Sequence, residues 1–226
     1  MKNADFQMGE RRMGWLGVFL AATVMSAGAS QALPLLSEVY YDASGSDDGK
    51  VFVEISGAPG FSLDGLWLEG VNGSNGAIAP TILLSGVIGQ DGLFVIADQT
   101  SSGTTAVLGA DLLANFDFQN GPDSVVLRSD VGVLDAVGYG VFSPSEIFAG
   151  EGAAAPDAPA GSSLSRAFAN VDLDDNASDF FVSSPTPGVA TFAPVPEPGS
   201  ALMLGLGLAS LGSVRDRRER GPVTTA

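Results

Sequence analysis

The chain has 226 residues, 45% of them apolar and 16% charged, which is enough for a folded core and too apolar for wholesale disorder. Its 26 acidic and 10 basic residues give a formal charge of −16, which argues against any phosphate-binding face and so against nucleic acid as a partner. Cysteine and histidine are both absent. That removes disulfides, thiolate and imidazole metal sites, and every nucleophile activated by a histidine base.

The N-terminus reads as a secretory signal peptide over residues 1–32. Lys2, Arg11 and Arg12 supply a positive start, residues 15–25 form a short apolar run, and Ser30-Gln31-Ala32 fits the small-x-small cleavage rule. Cleavage is expected after Ala32. Met8 and Met13 are alternative starts to Met1.

Residues 33–190 then form the exported domain, with 21 acidic and 3 basic residues and so a net −18. Its apolar residues come in short runs broken by Gly, Pro, Asp and Ser, which predicts strands. These runs lie at 35–41, 51–55, 66–68, 82–84, 93–97, 124–127, 133–137, 163–168 and 180–183. In Val51-Phe52-Val53-Glu54-Ile55 the alternation puts Val51, Val53 and Ile55 on one face and Phe52 and Glu54 on the other. Residues 129–132 form the turn of a hairpin. Residues 105–115 hint at a brief helical turn, and 150–161 read as a flexible loop. The fold class expected is all-β, a sandwich or barrel of short strands.

A Pro-rich linker at 191–198 follows, containing Pro196-Glu197-Pro198. Residues 199–214 carry no charge and predict a transmembrane helix of about 24 Å, short for a hydrocarbon core of about 30 Å. Small residues recur along it at Ala201, Gly205, Ala209 and Ser213, a spacing that lets helices approach closely. Arg215, Arg217, Arg218 and Arg220 make residues 215–226 a basic tail, expected to stay cytoplasmic.

Two resemblances rest on these residues. Pro196-Glu197-Pro198, the short apolar helix and the terminal Arg cluster together resemble a PEP-CTERM sorting signal. The resemblance implies recognition and cleavage by an exosortase of a Gram-negative-type envelope. It further implies transfer to the cell surface or extracellular matrix, in association with exopolysaccharide or biofilm. The exported domain is similar to a lamin tail domain. The resemblance runs through Val51-Phe52-Val53-Glu54-Ile55, Leu63-Asp64-Gly65-Leu66-Trp67-Leu68 and residues 93–98. It continues through Asn120-Gly121-Pro122-Asp123-Ser124-Val125-Val126-Leu127, Leu134-Asp135-Ala136-Val137-Gly138-Tyr139-Gly140, Gly161-Ser162-Ser163-Leu164-Ser165-Arg166 and Thr186-Pro187-Gly188. It implies an immunoglobulin-like β-sandwich of about nine strands.

Candidate chemistry is sparse. Asp172, Asp174, Asp175 and Asn176 form the better Ca²⁺ candidate, and Asp42, Asp47 and Asp48 a second, because clustered carboxylates on loops suit an ion with six to eight oxygen ligands. Neither has EF-hand spacing; solvated acidic loops with Asx-turns are the plainer reading. No other cofactor is expected. A glycosidase using two carboxylates, Glu54 and Glu69, is the enzyme class that survives without histidine. Glu54 paired with Arg166 is the simpler packing explanation, Trp67 is expected in the core, and one of Tyr40 and Tyr41 points outward. The sequence thus points to a non-enzymatic, exosortase-sorted envelope protein. The alternatives are a calcium- or polysaccharide-binding adhesion module and, third, the glycosidase.

Overall fold

The computed structural model describes residues 33–194 and Gly205. Ala32, Pro196, Glu197, Pro198, Arg215, Arg217, Arg218 and Arg220 lie outside the described residues, as do the signal peptide and nearly all of the 199–214 segment. No helix among the described residues is long and apolar enough to cross a membrane.

The described chain is almost wholly β. Its strands are β1 (Leu35–Tyr40), β2 (Phe52–Ser56), β3 (Trp67–Asn72), β4 (Ile78–Leu83), β5 (Leu93–Asp98), β6 (Leu112–Ala114), β7 (Asp123–Ser129), β8 (Gly132–Tyr139), β9 (Ser163–Arg166) and β10 (Phe180–Ser183). One helical turn, α1 (Asn176–Asp179), precedes β10. The strands form a six-stranded sheet in the order β10-β9-β1-β2-β5-β6 and a four-stranded sheet in the order β4-β3-β7-β8. All pairings are antiparallel except β5–β6.

Alternation explains how the two layers meet. Leu36, Val39, Val53, Ile55, Phe94 and Ile96 from the larger sheet share one buried cluster with Leu68, Ile82, Val125, Leu127 and Val137 from the smaller. Tyr41 and Tyr139 stack inside it with ring centroids 4.1 Å apart, an aromatic contact adding about 0.5–1.5 kcal/mol to simple burial. The expected division of β2 holds: Val51, Val53 and Ile55 face this core, while Phe52 joins Val95 and Ala97 on the outer face. Tyr40 is the outward member of its pair and packs on Phe52. The hairpin turn at 129–132 joins β7 to β8 as read.

Three expectations fail. Residues 105–115 contain no helical turn; they run back beside β5, which takes 112–114 as a parallel strand. Trp67 is not core. Leu68 points inward, so Trp67 stands on the outer face of the smaller sheet, its Nε1 donating to Glu69 at 2.9 Å and its ring 5.9 Å below the Arg128 guanidinium. The 150–161 loop is packed rather than loose, since Ala155 and Ala158 are buried and Ala155 N donates to Gly138 O at 2.7 Å.

Candidate functional site

Two groups of buried carboxylates and the end of the described chain are where chemistry and sorting meet. The first group surrounds Arg166, at the end of β9. β1 bulges against β2 between Leu36 and Glu38, and β9 pairs with β1 at Glu38 and Val39. Leu36, ahead of the bulge, gives its N–H to Asp135 Oδ2 at 2.6 Å and accepts from Arg166 Nε at 2.9 Å. Arg166 Nη2 donates to both Asp135 oxygens at 2.8 and 2.9 Å, and Nη1 to Asp179 at 2.9 Å and Asp172 at 3.3 Å. The guanidinium also lies 4.6 Å over the Phe180 ring. Arg166 does not pair with Glu54.

Four acids therefore crowd one cation. Asp135, Glu151 and Asp172 each bring an oxygen within 4.8 Å of the others, and Glu151 Oε2 is buried with no hydrogen-bond partner. Burial, reinforced by the Asp135 and Asp172 charges, pushes Glu151 up to about 7. Burial likewise raises Asp135 to about 6, against the opposing pull of Arg166. A carboxyl at Glu151 that holds its proton near neutrality relieves the excess negative charge. Arg166 supplies positive charge to two of these three acids, Asp135 and Asp172.

The four residues read as a Ca²⁺ loop are dispersed to other tasks. Asn176 is fully buried, accepting from Gly138 N and Glu151 N and donating to Ala136 O, so it ties α1 to β8. Asp175 accepts from Ala153 N and from the Ser178 hydroxyl. Asp172 faces Arg166, and Asp174 is an exposed residue at φ +54°. Among the described residues, the acidic group brought within 4.8 Å unites Asp172 with Asp135 and Glu151, not with Asp174 and Asp175. Of the second candidate, Asp47 accepts from Ala43 N, and with Asp48, Asp98 and Asp117 it lines an open cavity of about 400 Å³. Glu54 and Glu69 point outward from opposite sheets, so the whole core separates them and they share no cleft.

The second carboxylate pair was not foreseen. Glu38 and Glu54 are direct neighbours across β1 and β2, both buried, on the outer face of the larger sheet. Among the described residues no cation pairs with them. They are covered by the segment after β10, a strap over residues 184–193. Thr186 donates its N–H and hydroxyl to Glu38 at 3.0 Å each, and Gly188 N donates to Glu54 at 2.7 Å. Ser163 and Ser37 hydroxyls complete the two carboxylates. Burial raises both, Glu54 to about 7. The strap turns at Gly188, whose φ of +78° suits glycine and strains other residues. It then continues to Thr191, which accepts from Ala169 N at 2.8 Å, and to Ala193, which exchanges two hydrogen bonds with Asn170 at 2.7 and 3.0 Å.

Among the described residues the last of these bonds is at Ala193. Comparison with protein-family models finds a PEP-CTERM protein-sorting motif at residues 194–218, beginning one residue later. No curated protein matches the chain. The motif marks an exported protein that is held transiently in the membrane and processed by an exosortase.

Proposed function

We propose that this is a non-enzymatic envelope protein in which a lamin-tail-like, immunoglobulin-like sandwich is the cargo and the C-terminal segment is the address. The observation that carries the reading is the junction at Ala193–Pro194. Among the described residues the last hydrogen bonds, at Ala193, immediately precede the first residue of the motif, so the strands and the strap all lie ahead of Pro196, Glu197 and Pro198. The mature product is then an acidic domain starting at Leu33, released to the surface or matrix, where its charge keeps it soluble and away from anionic surfaces. Before release, residues 199–214 span the membrane and Arg215, Arg217, Arg218 and Arg220 hold the tail inside. Support for the lamin-tail assignment comes from its strand-forming signatures, which fall in order on β2, β3, β5, β7, β8 and β9, and from Thr186-Pro187-Gly188 forming the strap that closes the sheet.

Fractionating cells with and without an active exosortase tests the reading. Shortened protein at the surface or in the medium is expected in the first case, and full-length protein in the inner membrane in the second. Identical size and location in both would reject it.

Polysaccharide binding is a second reading, favoured by Trp67 standing outside the core beside Glu69 and Arg128. Pull-down on the host's own exopolysaccharide is expected to retain the protein and to lose it on Trp67→Ala. Equal retention of both forms would remove Trp67 from any glycan contact.

A further inference from the structure

The described chain begins and ends at the same end of the two sheets. Leu35, Ser56 and Leu93 are joined by register and mark one end of the larger sheet. The β2–β3 and β4–β5 connections leave from there, bonded to each other through Gly57 N to Gly92 O and Gly60 N to Ile88 O. They lead to Trp67, Leu83 and Arg128, the matching end of the smaller sheet, where the β7–β8 turn lies. Leu33 and Phe192 both line a groove of about 310 Å³ at this end, with Leu35, Ala58 and Pro59. The Phe192 ring rests on Gly92, where a side chain would displace it.

Among the described residues this end exposes a set of apolar side chains. Leu33 is 57% exposed, Val87 58%, Val131 89% and Phe192 38%, and Pro59 is exposed beside them. Two of its acids are turned onto backbone: Asp64 accepts from Gly86 N and Asp91 from Leu93 N; Asp130 stands free in the hairpin turn. The opposite end carries the acidic cavity of Asp47, Asp48, Asp98 and Asp117 on the larger sheet, with Asp42 close by in sequence, and exposes Ile78 and Val141 on the smaller.

We propose that, while the protein is held in the membrane, this apolar end rests on the lipid surface and the acidic end points away from it. The inference depends on the transient anchoring assigned above. Chain length carries it. Ala193 is fixed to the domain, and the uncharged segment begins at Gly199, six residues on. Six residues reach about 20 Å at full extension, and the headgroup layer fills part of that span. The exit end therefore stays within a short reach of the bilayer, and the groups it presents are Leu33, Pro59, Val87, Val131 and Phe192. Apolar side chains at this depth bury surface in the interface.

The absence of cysteine makes the test direct. Full-length Pro59→Cys and Ser102→Cys chains, each labelled with an environment-sensitive fluorophore, are reconstituted into phosphatidylcholine vesicles containing spin-labelled lipid. Ser102 lies beyond the far end of β5, a six-residue strand, about 20 Å away. Expected are blue-shifted, lipid-quenched emission at 59 and unshifted, unquenched emission at 102. With the chain in the vesicle fraction, equal and absent quenching at both sites would overturn the proposal and leave anchoring intact. A blue shift at 59 without lipid quenching would also overturn it, showing that protein and not lipid covers this end. A chain missing from the vesicle fraction would overturn anchoring and the proposal together.

Discussion

Two clusters of buried carboxylates solve the problem of burial differently. Around Arg166, acids from β8 and the 172–179 segment converge on a single guanidinium that is itself buried, with Glu151 beside two of them. Under the strap, Glu38 and Glu54 sit side by side with no cation, held by backbone N–H groups and serine and threonine hydroxyls. In the first place a counter-charge locks β1, β8, β9 and α1 together. In the second, two acids serve as acceptors that seat the segment leading to the sorting motif. With 3 basic residues among 21 acids in the 33–190 region, one internal cation is spent where four elements meet and none on the strap.

The largest effect separating the two should come from Arg166→Ala. Leaving Asp135 buried and unpaired is expected to cost about 3–5 kcal/mol, read as a large fall in the denaturation midpoint. An unchanged midpoint would mean the cluster does not hold the sheets together.

Next is Gly188→Ala, which places a side chain at φ +78° in the strap turn. The expected cost is about 1–2 kcal/mol. It should appear first as faster amide exchange at Thr186 and Gly188, with the β7–β8 hairpin unaffected. Exchange rising equally in the hairpin would show that the strap is not a separate unit.

The pH dependence is smaller and has a definite sign. Glu54 and Glu151 are raised to about 7 and Asp135 to about 6, so the folded state binds protons more tightly than the unfolded chain. Their contribution is complete below the ordinary carboxylate range, near 4, and is lost as pH rises through 6 and 7. Melting temperature should therefore fall from pH 5 to pH 8. Glu54→Gln keeps an oxygen for Gly188 N and should flatten that fall, as should Glu151→Gln. A fall of undiminished steepness in both variants would assign it to other groups.

The sequence made the strands legible wherever two-residue alternation was clean, as in residues 51–55 and the β7–β8 hairpin, because burial on one face imposes that period. It also carried the sorting signal, which is a linear pattern and needs no fold. Residues 112–114 were not legible, since a three-residue strand draws its conformation from β5 and not from its own pattern. Trp67 was misplaced although Leu66 and Leu68 flank it; with Leu68 inward, alternation already sends Trp67 outward. The partners of Arg166 come from positions 135, 172 and 179, which only the sheet topology brings together. The strap was visible as Thr186-Pro187-Gly188, but its targets, Glu38 and Glu54, lie about 150 and 130 residues earlier. No local signal links them.

The central claim is that the exported domain is cut free just beyond the strap that closes its larger sheet. Intact mass of the mature protein from its own host tests this most directly. The account predicts a chain beginning at Leu33 and ending near Pro196–Pro198. A mass that includes residues through Ala226 would contradict it and make the C-terminal segment a permanent part of the working protein.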